Sequence, residues 1–201
     1  MNAQHWLLLV LWILYSVVHS FFADHSVKQS IQNFLGSRFR YYRLCYSLFS
    51  LVTLVLLLWY QFSLKSTWLY TSVIRYASLI LMMPGLTIMI ICISKYFYGQ
   101  SGIQALQKDT PSFTPPLQQN GLHKYTRHPL YFGTLLFVWG LFFLLPLVYN
   151  LIAAAAITIY VLIGIKWEEQ KLVLEYGDEY RQYAGRVPKL IPKLKWDMGK
   201  K

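Results

Sequence analysis

Five stretches of this chain, at 6–22, 44–62, 72–97, 130–148 and 151–167, are long, apolar and free of Asp and Glu. A bilayer's hydrocarbon core requires roughly 20 apolar residues per helical crossing. In lipid every backbone N–H and C=O must be paired within its own segment, so such stretches are read as helices. The predicted fold is therefore all-α and polytopic, with about five transmembrane helices and a cytoplasmic tail at 168–201 that carries an amphipathic helix. Composition agrees, since 13% of the residues are charged against about 25% in soluble domains. The third stretch holds Arg75 near its start and Lys95 near its end, where long side chains reach the headgroups.

Charge placement sets the expected orientation. Lys28, Arg38, Arg40 and Arg43 lie between the first two spans, and Lys95, Lys108, Lys124 and Arg127 between the third and fourth. Only Lys65 lies between the second and third, and no Lys or Arg between the last two. Lys171, Arg181, Arg186, Lys189, Lys193, Lys195, Lys200 and Lys201 follow the fifth. The positive-inside rule places the N-terminus outside and the C-terminus in the cytoplasm of an integral cell (inner) membrane protein. The net charge of +11 then gathers on one face, suited to anionic lipid headgroups more than to nucleic acid.

The first span lacks a basic leader region and a small-residue cleavage site, and is read as an anchor. Cys45 and Cys92 are solitary, and no spacing suggests zinc or a disulfide framework. His19 and His25 could ligate a metal, but a lone polar residue in an apolar helix more often bonds a neighbouring helix, and no metal is expected. One domain is expected over 1–201. The segment 98–128, rich in Gly and Pro, is read as an ordered loop at the membrane surface. Pro84-Gly85 should kink or loosen the third span.

Two polar segments flank the last two spans. The first runs from Gly121 through His123, Arg127, His128, Pro129, Leu130 and Tyr131 to Gly133. The second holds Glu168-Glu169, then Gly177, Tyr180, Tyr183 and Val187-Pro188. A helical hairpin brings both to one membrane face. Pro129 suits the first position of a helix. Arg127 and His128 then stand at the positive end of its dipole, a place for an anion such as a carboxylate. Glu168 and Glu169 at the end of the fifth span oppose the helix dipole and call for a cation or ligand hydroxyls. Successive helical side chains diverge by about 100°, so the two carboxylates are expected to differ in weight. Gly133 and Gly140, with Ala153 to Ala156 and Gly164, allow close helix approach or room for a ligand. Each segment alone could be ordinary: basic residues are common at span ends, and Leu172, Tyr176, Tyr180, Tyr183 and Val187 repeat as a solvated amphipathic helix would. Together on one hairpin they indicate a site.

Arg127-His128-Pro129-x-Tyr131-x-Gly133, Glu168-Glu169 and Gly177-x-x-Tyr180-x-x-Tyr183-x-x-x-Val187-Pro188 resemble the isoprenylcysteine carboxyl methyltransferase and phospholipid methyltransferase superfamily. The N-terminal part, with His19-Ser20 and Arg43-Leu44, is similar to the methanethiol S-methyltransferase branch and to denitrification-associated membrane proteins. The resemblance implies an S-adenosylmethionine-dependent methyltransferase whose donor binds on the cytoplasmic side. It assigns His128, Pro129, Leu130 and Tyr131 to the donor pocket and Glu168 to the donor's polar groups, and makes Pro115, Pro116, Leu117 and Gln118 the covering loop. His123 stands where relatives often have Tyr. Gly164 stands where prenylcysteine enzymes have a basic residue for the substrate carboxylate, which favours a small or lipophilic thiol over a prenylcysteine carboxylate or a phospholipid amine. A non-catalytic membrane partner and a small transporter remain alternatives. The transporter would need polar residues along several spans.

Overall fold

The structure is a computed structural model that describes residues 2–70, 73–100 and 116–193. Residues 101–115 of the loop expected over 98–128, Pro115 among them, the first residue of the expected third span and the lysines beyond 193 lie outside the described residues, as does the side chain of His25.

The fold is all-α, as the sequence predicts. Helix α1 spans Ala3–Ala23, with a capping box in which Asn2 accepts from the His5 backbone N–H and the His5 ring from that of Asn2. Asp24 ends α1 and caps α2, His25–Leu35, by accepting from Ser26 N at 2.8 Å. Gly36, at φ 52°, ends α2, and a 3-10 turn over Gly36–Tyr41 leads into α3, Tyr42–Ser63. A second 3-10 turn, Val73–Ser78, precedes α4, Leu79–Gln100. A third, Gly121–Lys124, precedes α5, Pro129–Leu144, and α6 runs over Val148–Arg186.

Several boundaries differ from the sequence expectation. The segment between the first two spans is a helix, α2, where only connecting chain was expected. The fourth span stops at Leu144 instead of 148, because Leu145 precedes Pro146 and leaves the helical region (φ −122°, ψ 81°). The fifth span and the tail helix form one 39-residue element, turned at Gly177 by a φ of 56°. α4 passes through Pro84 without interruption. Helices α1, α3, α4 and α6 are long and apolar enough to cross a membrane. The 16 residues of α5 reach about 24 Å at 1.5 Å per residue.

Neighbouring helices follow the order α3, α1, α6, α5, α4. The α4–α5 contact is very close. A Cβ on Gly85 would stand 2.6 Å from the Phe137 backbone N, and one on Gly140 2.7 Å from the Met82 backbone N. Gly133 meets Ile88 in the same way. The small residues of α5 thus serve helix contact, whereas Gly164 of α6 has nothing within 4 Å. Large apolar side chains such as Trp59 and Ile80 are exposed on outward faces, as a lipid solvent allows.

One end of the bundle gathers the α3–α4 and α5–α6 connections, where Leu69 N donates to Pro146 O at 2.8 Å and Trp68 bridges to Leu147. Near that end a buried relay joins three helices: Trp12 Nε1 donates to Gln61 Oε1 (3.0 Å), Gln61 Nε2 to Asn150 Oδ1 (3.1 Å), and Asn150 Nδ2 to the Leu145 carbonyl (2.8 Å). Gln61→Leu should cost about 1–3 kcal/mol, since it strands the Trp12 donor and the Asn150 acceptor in an apolar layer. Thermal unfolding in detergent reads this loss, and an unchanged midpoint would refute it. The opposite end holds Asp24, with Lys171 at 3.9 Å, and both polar segments of the hairpin.

Candidate functional site

Pro129 is the first residue of α5 and His128 its N-cap, as the missing proline N–H and fixed φ favour. The approach to this helix is bound to the chain beyond α6. Arg127 N donates to Pro188 O at 2.9 Å, and Thr126 Oγ1 to Leu190 O at 2.9 Å. Tyr183 of α6 donates to the His123 carbonyl at 2.7 Å. Gly177 makes this possible: its positive φ turns the distal part of α6, so that Tyr180 and Tyr183 are buried against 121–128.

Glu169 is the centre of the charge network. Oε1 is 2.9 Å from Arg127 Nη2, 3.3 Å from His128 Nε2 and 3.3 Å from the Tyr180 hydroxyl, while Oε2 is 3.0 Å from Lys189 Nζ. Burial alone would raise this carboxyl's pKa. The hydrogen bond and charge of Lys189 and the charge of Arg127 outweigh it and hold the pKa below the ordinary value. The sequence reading gave Glu169 the lesser part; in the structure it gathers the cations. Glu168 turns elsewhere. Its Oε2 is buried without a hydrogen-bond partner, with His128 Nδ1 at 3.6 Å, and Arg127 Nε is likewise buried and unpaired.

These two orphaned atoms belong to residues of one cavity of about 310 Å³, lined by Cys92 and Ile93 of α4, by Gln118, His123, Arg127, His128, Pro129, Leu130 and Tyr131, and by Glu168. The structure thus brings together eight of the residues singled out in the sequence. Pro116 and Leu117 precede Gln118 without lining the cavity. The His128 and Tyr131 rings stack at 5.6 Å. Burial, then the charges of His128 and Lys95, lowers the His123 pKa, which favours a neutral imidazole. Cys92, Ile93 and Lys189 were not foreseen, and Tyr180 was read as part of the motif without a role in a charge network. Nothing in the sequence marks the first two, whereas Lys189 follows the Val187-Pro188 pair that closes the motif. A cavity lined by the guanidinium-bearing Arg127 at one place and the carboxylate-bearing Glu168 at another suits a ligand carrying both charges.

The family model described as "NnrU protein" matches residues 7–192. "Methanethiol S-methyltransferase" of Pseudomonas deceptionensis is 33% identical over 199 residues, covering 92% of this chain and 72% of that relative. "Methanethiol S-methyltransferase 1" of Bradyrhizobium diazoefficiens is 43% identical over 84 residues, 41% of this chain and 27% of the relative. The protein of that function from Crocosphaera subtropica is 35% identical over 98 residues, 48% and 33% of the two chains. The match thus spans a third or less of these last two relatives. No solved structure matches the chain.

Proposed function

The chain belongs to the NnrU protein family, within the integral membrane methyltransferase superfamily, and from that premise we propose that it transfers a methyl group from S-adenosylmethionine to a small or lipophilic acceptor, a thiol in preference to a prenylcysteine carboxylate or a phospholipid amine. The observation that carries this reading is the cavity at the α5–α6 end, with the buried, unpaired Arg127 Nε and Glu168 Oε2. They fit a zwitterionic donor. Arg127 and the α5 N-terminus favour its carboxylate. Glu168 takes its amine or ribose hydroxyls, and the Tyr131 face attracts the sulfonium cation.

Bound there, S-adenosylmethionine would supply an electrophilic methyl group for direct displacement by the acceptor's nucleophile. A thiol is ionised in part near neutral pH. With the donor held there, the acceptor's thiolate would attack that methyl group, the electron pair of the broken bond would stay with the departing donor sulfur, and the thiol proton would pass to solvent. The chain's task is alignment and exclusion of water. Glu169 holds Arg127 and His128 in position, and Tyr183 and Pro188 tie down the approach to α5 through His123 and Arg127.

Glu168→Ala and His128→Ala are each expected to weaken donor binding about tenfold to a hundredfold, the loss of a hydrogen bond to a charged group, without unfolding the protein. Calorimetry on detergent-purified protein tests this, and unchanged affinity in both would remove the assignment. Absence of any donor binding by the wild-type chain would favour a non-catalytic partner or a transporter. The site is proposed to face the cytoplasm. A C-terminal reporter should be active only in that compartment, and activity only outside would overturn the orientation.

A further inference from the structure

A second cavity, of about 330 Å³, lies beside the one proposed for the donor and shares no lining residue with it. Ile91 and Lys95 of α4 form one wall, and Gly121, Leu122, Lys124 and Tyr125 of the chain leading to α5 form the other. Its size is that of a small-ligand site. It carries two ammonium groups, and none of these lining residues is acidic. Gly121 lets one ammonium come close. Its φ of 65° favours glycine, and a Cβ built there would stand 3.1 Å from Lys95 Nζ. The Lys95 ammonium is thus seated against the turn that holds Lys124.

The cavity continues onto an outward, apolar face of α4. Lys95, Ile91, Thr87 and Met83 recur at every fourth position and share that face, and Ile80 extends it. Ile91, Met83 and Ile80 are exposed. Thr87 Oγ1 donates to the Met83 carbonyl at 2.9 Å, so its hydroxyl hydrogen is spent within the helix. From Ile80 to Lys95 the face runs about 22 Å at 1.5 Å per residue, apolar along its length and cationic at its end. Tyr125, itself exposed, stands at the cationic end, and a ring with a polar tip suits the boundary between lipid and water.

We propose that this cavity is a binding site for one anionic phospholipid, with Lys95 and Lys124 on its phosphodiester and an acyl chain laid along Ile91, Met83 and Ile80. Two cations without a lining carboxylate match a headgroup of net negative charge, such as phosphatidylglycerol. A phosphatidylethanolamine headgroup would bring its own ammonium to a place that offers it no countercharge. The apolar face that leads into the cavity favours a lipid over a phosphate from solution. The lipid is a ligand here and not the methyl acceptor, and the inference is independent of the methyltransferase reading. Lys95 belongs to α4 and Lys124 to the approach to α5, so one phosphate held by both ties these elements together.

The test uses delipidated full-length protein in uncharged detergent, with bound lipid counted by native mass spectrometry. Dioleoyl-phosphatidylglycerol should bind saturably, and dioleoyl-phosphatidylethanolamine more weakly. Lys95→Gln and Lys124→Gln should each weaken phosphatidylglycerol about fivefold, the share of one lysine beside an anionic lipid, and each tests the site separately. Lys28→Gln with Lys171→Gln removes as much charge from the same end of the bundle as the two together, and should leave the affinity nearly unchanged. Unfolding temperatures without lipid check that the variants fold. Added phosphatidylglycerol should raise that of the wild type more than that of the Lys95→Gln/Lys124→Gln double variant. Equal losses of affinity in the two double variants would mean attraction to the charged face as a whole and overturn the site. Equal binding of phosphatidylethanolamine, or equally tight binding of soluble sn-glycerol 3-phosphate, would overturn the anionic lipid as its occupant.

Discussion

Gly85→Ala is expected to lower the unfolding temperature and to weaken donor binding at once. Alanine ordinarily favours a helix over glycine by up to about 1 kcal/mol, so an exposed glycine of this kind would be stabilised by the change. Here the new methyl group would meet the Phe137 backbone N at 2.6 Å, the Gly133 carbonyl at 2.8 Å and the Leu136 Cβ at 2.9 Å. Two of these are backbone atoms of α5 and cannot rotate aside, so α4 and α5 must part. Overpacking of this type costs about 1–3 kcal/mol, enough to reverse the propensity gain. The expected functional loss follows from the same movement, because Cys92 and Ile93 of α4 line, together with Leu130 and Tyr131 of α5, the cavity proposed for the donor. Gly164→Ala, at an open position, is the control and should leave the unfolding temperature unchanged or raise it by a few degrees at most. An equal response in the two variants would refute the close-packing account.

Glu169→Ala should destabilise the end of the bundle that carries the site more than any other single carboxylate change. It removes the shared partner of Arg127, His128, Tyr180 and Lys189 and leaves the Arg127 guanidinium, 11% exposed, without its countercharge. Breaking such a pair costs about 2–4 kcal/mol, less than a fully buried pair would, because Lys189 is half exposed. For a chain of this length that is about 5–15 °C in unfolding temperature. The sign with pH is fixed by the lowered pKa of Glu169. A depressed carboxyl contributes stability above its unfolded value, about 4.3, and that contribution is lost as pH falls through the folded value. The gap between variant and wild type should therefore be full at neutral pH and shrink in acid. A gap that widened below pH 4 would contradict this assignment.

The apolar stretches carried the helices and the alternation of ends, because lipid demands internal backbone pairing and leaves few alternatives. Local chemistry carried the start of α5, where Pro129 can occupy only a few helical positions. The end of α5 was misjudged because apolar composition continues to Val148 while Pro146 decides the backbone. α2 was passed over although Asp24 followed by Ser26 and Val27 has the form of an N-cap; its mixed polarity hid it beside two strongly apolar neighbours. The charge network was the least legible part. Glu169 and Lys189 are twenty positions apart, and only the turn at Gly177 together with the Pro188 contact to Arg127 brings them into one cluster. Cys92 reaches the cavity through the glycine contacts between α4 and α5, which no local pattern announces.

The shortness of α5 has a consequence for the membrane itself. About 24 Å of helix cannot match a hydrocarbon layer of about 30 Å. The mismatch of about 6 Å is met by thinning of the bilayer around α5 or by wet protein at its ends. With α5 crossing, the cavity at its N-terminus would lie below the mean headgroup plane, where the water-soluble and oil-soluble reactants of the proposed reaction would overlap in concentration. Bilayer thickness then becomes a variable of the chemistry: thicker lipid draws this end deeper, away from the aqueous partner, and thinner lipid releases it.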